Sequence, residues 1–370
     1  MGITNKFKWL LFPLIVYLCF IGIYVGISYF NHNNYLFLPV WDVKHYLDIS
    51  EIGYQVYPCT PGVDGNFGEI CGNPGWFPMW PLVVKLFRPL FGGSSQTTFI
   101  TLTFLIMFVG LILLYRLIER FYGFKAGLFT LIALILSPAG FYMLTGFPYA
   151  LFLLLFMLYL FLLYAKPGWG RGVGLFIVAM MISLTYPTGI LIAVMPLVWK
   201  MFSKETKFRY KSFRDWLDVG LYILPFFLGL VFLWIYFYIK FDDFFLQLHF
   251  QEKYHRTWAV PIYIIFKSFF TKPILSPENI SIIWYGLIFV VFFPFRLKRE
   301  LWILALVLYL FSLTTGTTMS IYRHYLIIFP FYMIIGVSDR PLWLKSAYCL
   351  IGLLLSIFVL FPLFMNYRLI

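Results

Sequence analysis

Runs of roughly 20 apolar residues, each long enough to cross a bilayer as a helix, recur along this chain and constrain its fold more than any other feature. A transmembrane barrel would show short alternating segments instead, so the runs predict helices. Only 12% of the residues are charged, against about 25% in soluble domains. The expectation is an all-α, polytopic membrane protein, a single domain over residues 1–370 with about 11 transmembrane helices. The first run, Trp9 to Phe30, exceeds a signal-peptide core and has no clear small-x-small site after it, so it is read as a span.

The formal charge of +13 invites a nucleic-acid reading. Its distribution argues against one, because basic residues concentrate in alternate loops, as the positive-inside rule requires. Lys6 and Lys8 put the N-terminus in the cytoplasm, and the cluster Lys200, Lys204, Lys207, Arg209, Lys211 and Arg214 is the strongest further cytoplasmic signal. The expected compartment is the plasma membrane in a prokaryote and the endoplasmic reticulum in a eukaryote. Residues 31–95 then form a large first outer loop with interfacial helices, and 241–275 a second. Residues 173–199 read as two short helices meeting at a buried polar break, Thr185-Tyr186-Pro187-Thr188-Gly189.

The first outer loop holds Trp41-Asp42-Val43-Lys44-His45-Tyr46-Leu47-Asp48-Ile49-Ser50-Glu51. As a helix it would set Asp42, His45, Tyr46 and Ile49 on one face. A carboxylate beside an imidazole there can do acid–base work. Asp242, Asp243, His249, Lys253, His255 and Arg256 lie in the second loop, and Arg323 and His324 open the tenth span. All five histidines, His32 included, fall on the outer side. Arginine and histidine near the interface suit an anionic group such as a lipid phosphate. Plainer readings stand beside these. Asp42 is placed to cap a helix, Asp242 and Asp243 to cap or face water, Lys253 and Arg256 to hold headgroups of membrane lipids, and Arg323 to snorkel. Cys59 and Cys71 bracket a loop where a disulfide is chemically allowed, though spacing alone does not decide it. No zinc-type ligand set and no phosphate-binding glycine loop is visible.

Trp41-Asp42, His45-Tyr46, Ile49 and Gly53-Tyr54, then Trp76-Phe77-Pro78-Met79-Trp80-Pro81-Leu82, resemble the first outer loop of the GPI mannosyltransferase 2 (PIG-V-like) family, GT-C-type membrane glycosyltransferases. The likeness continues in order through Phe147-Pro148-Tyr149-Ala150, Pro187-Thr188-Gly189, Gln251, Trp258, Pro261, Arg323-His324-Tyr325 and Phe329-Pro330. It implies a hexose, mannose first, moved with inversion from a polyprenyl- or dolichyl-phosphate donor to a glycan or lipid acceptor on the outer side. It implies Asp42 as the catalytic base, with Trp41, His45, Tyr46, Tyr186, Arg256, Arg323 and His324 binding substrate. Tyr186 stands where many relatives carry a basic residue. No cofactor is required by this reading, and the carboxylates near Asp42 leave a divalent metal open. The rival class is a lipid or lipid-linked-sugar transporter or flippase. Transporters tend to place ionisable groups at the bilayer midplane and to show two related halves, neither of which the sequence displays.

Overall fold

The apolar runs become helices wherever the chain is described. The structure, a computed structural model, describes residues 8–30, 41–60, 69–202, 212–252 and 256–366. His32, Lys253, His255 and most of the basic cluster at 200–214 lie outside the described residues. Helix α1 spans Lys8–Phe30 and α2 Asp42–Ile52. A small hairpin of β1 (Val56–Pro58) and antiparallel β2 (Ile70–Gly72) follows, with Tyr57 opposite Cys71. Then come α3 (Met79–Phe87), α4 (Ser95–Tyr122), α5 (Phe124–Ile135) and α6 (Tyr149–Leu163). Next are α7 (Trp169–Ser183), α8 (Val194–Phe202), α9 (Phe213–Phe241), α10 (Leu246–Glu252), α11 (Pro261–Thr271) and α12 (Pro277–Val291). The chain closes with α13 (Arg299–Leu313), α14 (Ile321–Leu326), α15 (Pro330–Val337), α16 (Leu342–Leu355) and α17 (Phe361–Met365).

Local chemistry sets many of these ends. Ser94, Ser212 and Ser276 each accept a backbone N–H at the start of α4, α9 and α12. Proline opens α11, α12 and α15, where its missing N–H has no helical partner to lose.

Four of the described helices are long and apolar enough to cross a membrane: Trp9–Tyr29, Ser95–Tyr122, Asp215–Phe241 and Leu342–Met365. The protein is an integral membrane protein. The other expected spans are shorter apolar helices, such as Phe124–Ile135 and Tyr149–Leu163. A helix of 12 residues reaches only about 18 Å, short of a ~30 Å hydrocarbon core. Such helices survive by being wrapped in protein. Helix α6 is apolar on every side and largely buried, and α15 is buried along its whole length. Together with α4 and α5 they form the centre of the bundle, with α9 lying along α7 and α13 along α8.

The break at 185–189 is buried, as its position between two short apolar pieces predicts: Thr185, Tyr186 and Thr188 are almost fully enclosed. A side chain on Gly189 would come within 2.3 Å of the Ile182 carbonyl, so only glycine lets the chain fold back there. The peptide N–H of Met79 donates to the Leu184 carbonyl at 3.0 Å, tying the start of α3 to this break. Trp80 is fully buried, and its Nε1 donates to the Gly146 carbonyl at 2.8 Å. These contacts bring the first loop onto the end of α7 and the turn that leads into α6.

Candidate active site

Arg323 and Asp42 are 281 positions apart in sequence, yet the Arg323 Nη1 donates to Asp42 Oδ2 at 2.7 Å. Neither side chain is delivered by relaxed backbone. Trp41, just before Asp42, has φ 47° and ψ −126°, and Ser320 has φ 59°. A bulky residue at positive φ is uncommon and costs of order 1–3 kcal/mol. Asp42 is therefore not the helix cap that its sequence position suggests. Trp41 occupies that place without a side-chain cap bond, and the Asp42 carboxylate turns to arginine. Arg323 does not snorkel either. It is 9% exposed, its Nη2 donates to Ser320 Oγ at 2.6 Å, and its guanidinium lies 5.2 Å from the Phe147 ring.

The ion pair sits in a cleft of about 110 Å³. Asp42, Tyr46, Tyr186, Arg256, Arg323 and His324 all line it, drawn from four separate stretches of chain. The Tyr186 hydroxyl and His324 Nδ1 are 2.9 Å apart, which joins the 185–189 break to α14. Arg256 enters from the strand-like segment before α11. There Thr257 and Ala259 donate backbone N–H bonds to Thr315 and Thr314 at 3.2 and 3.0 Å. Burial first, and then the Asp42 carboxylate, push the Tyr46 hydroxyl far above an ordinary tyrosine, so it stays a neutral donor. One carboxylate and two guanidiniums give the cleft a cationic balance suited to a phosphate.

Trp41 and His45 do not line the cleft. The Trp41 ring packs at 4.7 Å on Phe364 of α17. His45 stacks on Trp76 at 3.7 Å, and it is Trp76 that reaches the cleft. The single face expected for Asp42, His45, Tyr46 and Ile49 is thus divided. Helix α2 turns Val43, Tyr46, Ile49 and Ser50 inward, and His45 is left at the edge. His249 is also outside, exposed and paired with Asp243 at 2.8 Å. Asp242 closes α9 in the left-handed region, as the capping reading of that pair allowed. Among the described residues no group of three His, Cys, Asp or Glu side chains converges.

The wall made by Gly75, Trp76 and Phe77 is fixed from behind. Cys59 and Cys71 are joined in a disulfide across the hairpin. Asn73 Oδ1 accepts from the Gln55 N–H at 2.8 Å, and the Tyr54 hydroxyl donates to the Trp76 carbonyl at 2.7 Å. Lys240 of α9 donates to the Tyr54 carbonyl at 2.9 Å. Met319 and Ser320 also line the cleft and had no signal in the sequence, because a threonine-rich loop end announces neither positive φ nor an arginine contact.

No protein-family model and no curated protein matches the sequence. Among solved structures the fold is similar to that of ArnT from Cupriavidus metallidurans bound to undecaprenyl phosphate. The TM-score is 0.60 at 16% identity, over 94% of this chain and 63% of that one. A chain of the Archaeoglobus fulgidus oligosaccharyltransferase, tethered to an acceptor peptide, gives 0.49 at 12% identity over 98% of this chain and 55% of that one. The chain thus spans roughly three-fifths of the length of the ArnT chain and about half that of the oligosaccharyltransferase. The fold is an all-α membrane fold of the GT-C type.

Proposed function

We propose that this protein is a GT-C-type glycosyltransferase of the PIG-V-like kind. It moves a hexose, mannose first, from a polyprenyl- or dolichyl-phosphate donor to a glycan or lipid acceptor on the outer side of the membrane. The observation that carries the reading is the Asp42–Arg323 pair, with its arginine buried and its carboxylate partly open, in one cleft with a second arginine. The ArnT structure with undecaprenyl phosphate supports a donor of that lipid class. Ionisable groups gathered at one cleft favour an enzyme over a transporter, whose charges tend to line a midplane path.

Asp42 is the base. Among the described residues its Oδ1 has no hydrogen-bond partner, while Oδ2 is held by Arg323. Oδ1 takes the proton of the acceptor hydroxyl as that oxygen attacks the anomeric carbon. The bond from that carbon to the lipid-phosphate oxygen breaks on the opposite face, so the configuration inverts. Arg323, Arg256 and His324 receive the leaving phosphate.

The test is sugar transfer by the purified protein and its Asp42→Asn variant, with polyprenyl-phosphate-mannose and a panel of acceptors. Release of lipid phosphate by wild type, lost in a folded variant, is the expected result. Equal activity in both would move the base elsewhere, with Asp48 and Glu51 next in line. No release with any acceptor would count against the reading as a whole.

A further inference from the structure

Tyr186 borders the cleft, yet its hydroxyl is engaged inside the protein. Pro187 follows it, which disfavours helical backbone at Tyr186 and leaves the residue extended at φ −156° and ψ 149°. The side chain is buried, and the rings of Tyr149 and Phe152 on α6 meet it edge-on at 5.7 and 6.1 Å. Its hydroxyl oxygen lies 2.9 Å from His324 Nδ1, and the buried Tyr149 hydroxyl donates a hydrogen bond to the same oxygen.

Counting hydrogens along this chain settles where the His324 proton sits. Arg323 precedes His324 and Arg256 shares its cleft, so a protonated ring would add a third cation to a half-enclosed space. The neutral ring carries one N–H. With that proton on Nδ1, the buried Tyr186 hydroxyl would have no acceptor, which is costly. With it on Nε2, Tyr149 donates to Tyr186, Tyr186 donates to Nδ1, and each hydroxyl hydrogen is used. Among the described residues Nε2 has no hydrogen-bond partner, and it is the ring nitrogen left for the cleft that His324 lines.

We infer that Tyr149 and Tyr186 are positioning residues that hold His324 as the Nε2–H tautomer, and that this neutral N–H donates to the lipid phosphate as it departs. This rests on the glycosyltransferase reading above. When the bond to the anomeric carbon breaks, its electron pair stays on the phosphate oxygen. The Nε2–H gives that oxygen a hydrogen bond and keeps its proton. The two arginines supply charge, and the preset imidazole supplies a directed donor that needs no reorganisation.

Two measurements on the purified full-length protein test this. The first is nitrogen magnetic resonance of histidine-labelled protein, with His324 assigned by the signals lost in His324→Gln. Wild type should carry the proton on Nε2 alone, and Tyr186→Phe should mix the two tautomers. Added undecaprenyl phosphate should move the Nε2 signal more than the Nδ1 signal. A proton on Nδ1, or no response at Nε2, would overturn the assignment. The second is lipid-phosphate release. His324→Ala should lower kcat about a hundredfold, the usual worth of one oxyanion donor. Tyr186→Phe should lower it about tenfold in wild type and no further in the His324→Ala background. A further loss there would show that Tyr186 acts apart from His324 and would overturn the relay. His324→Gln, which keeps an N–H near the place of Nε2, should recover about tenfold of the His324→Ala loss. No transfer by wild type would remove the glycosyltransferase reading. The tautomer and its response to undecaprenyl phosphate are read without turnover, so they decide the relay separately.

Discussion

Two groups of charges at different places in this bundle are built in opposite ways. In the cleft, Arg323 and Asp42 pair with side chains 11% and 34% exposed, and both are presented by residues at positive φ. Elsewhere Arg296 and Asp339 pair at 64% and 62% exposure, and Arg116 with Glu119 on one turn of α4 at 48% and 27%. Exposed pairs contribute little, typically 0–1 kcal/mol, and need no special backbone. A buried arginine has a desolvation cost that its attraction to a partly covered carboxylate barely offsets. A fold that keeps such a pair, and holds strained backbone on both sides of it, has the marks of a site and not of a structural brace.

The contrast can be broken most strongly at Asp42. Asp42→Asn should lower sugar transfer by about 10²–10⁴-fold, the usual worth of a positioned base, in the lipid-phosphate release assay. Arg323→Met should lower stability by about 3 kcal/mol, the low end for a broken buried pair, since Asp42 is still a third exposed. A midpoint shift in thermal unfolding reads this out, and no shift would mean that the pair is not formed in solution. Replacing Cys59 and Cys71 together by serine should cost roughly 2–4 kcal/mol and reduce turnover as the Trp76 wall loosens. Tyr186→Phe, which removes the hydroxyl facing His324, should lower transfer about tenfold and lower stability by about 1 kcal/mol, because His324 Nδ1 loses its partner. Arg296→Ala sharpens the comparison from the other side. It should change stability by less than about 0.5 kcal/mol and leave transfer untouched.

The short helices make a second point. The sequence marked a buried polar break at 185–189 because two apolar pieces were each too short to span, and the break is enclosed as expected. Asp42, Arg256, Arg323 and His324 stood out because ionisable groups are rare in so apolar a chain. Ser320 and Met319 did not stand out, since nothing in a loop of threonines announces a left-handed residue holding a guanidinium. His45 stands at i+3 from Asp42 on a helix that forms as its period predicts, and it meets the cleft wall through Trp76, since the period does not say how wide the buried face is.

Apolar patterning alone is enough to set the solvent and the helical secondary structure. Long apolar runs must satisfy their backbone groups internally, and helices are the local way to do so. The sequence also determines which residues are chemically able to act. Which of them meet is settled by packing across the bundle. Asp42 and Arg323 come together through the docking of α2 and α3 on the central helices and the turn at Ser320. Those contacts span 281 residues, and no local pattern encodes them.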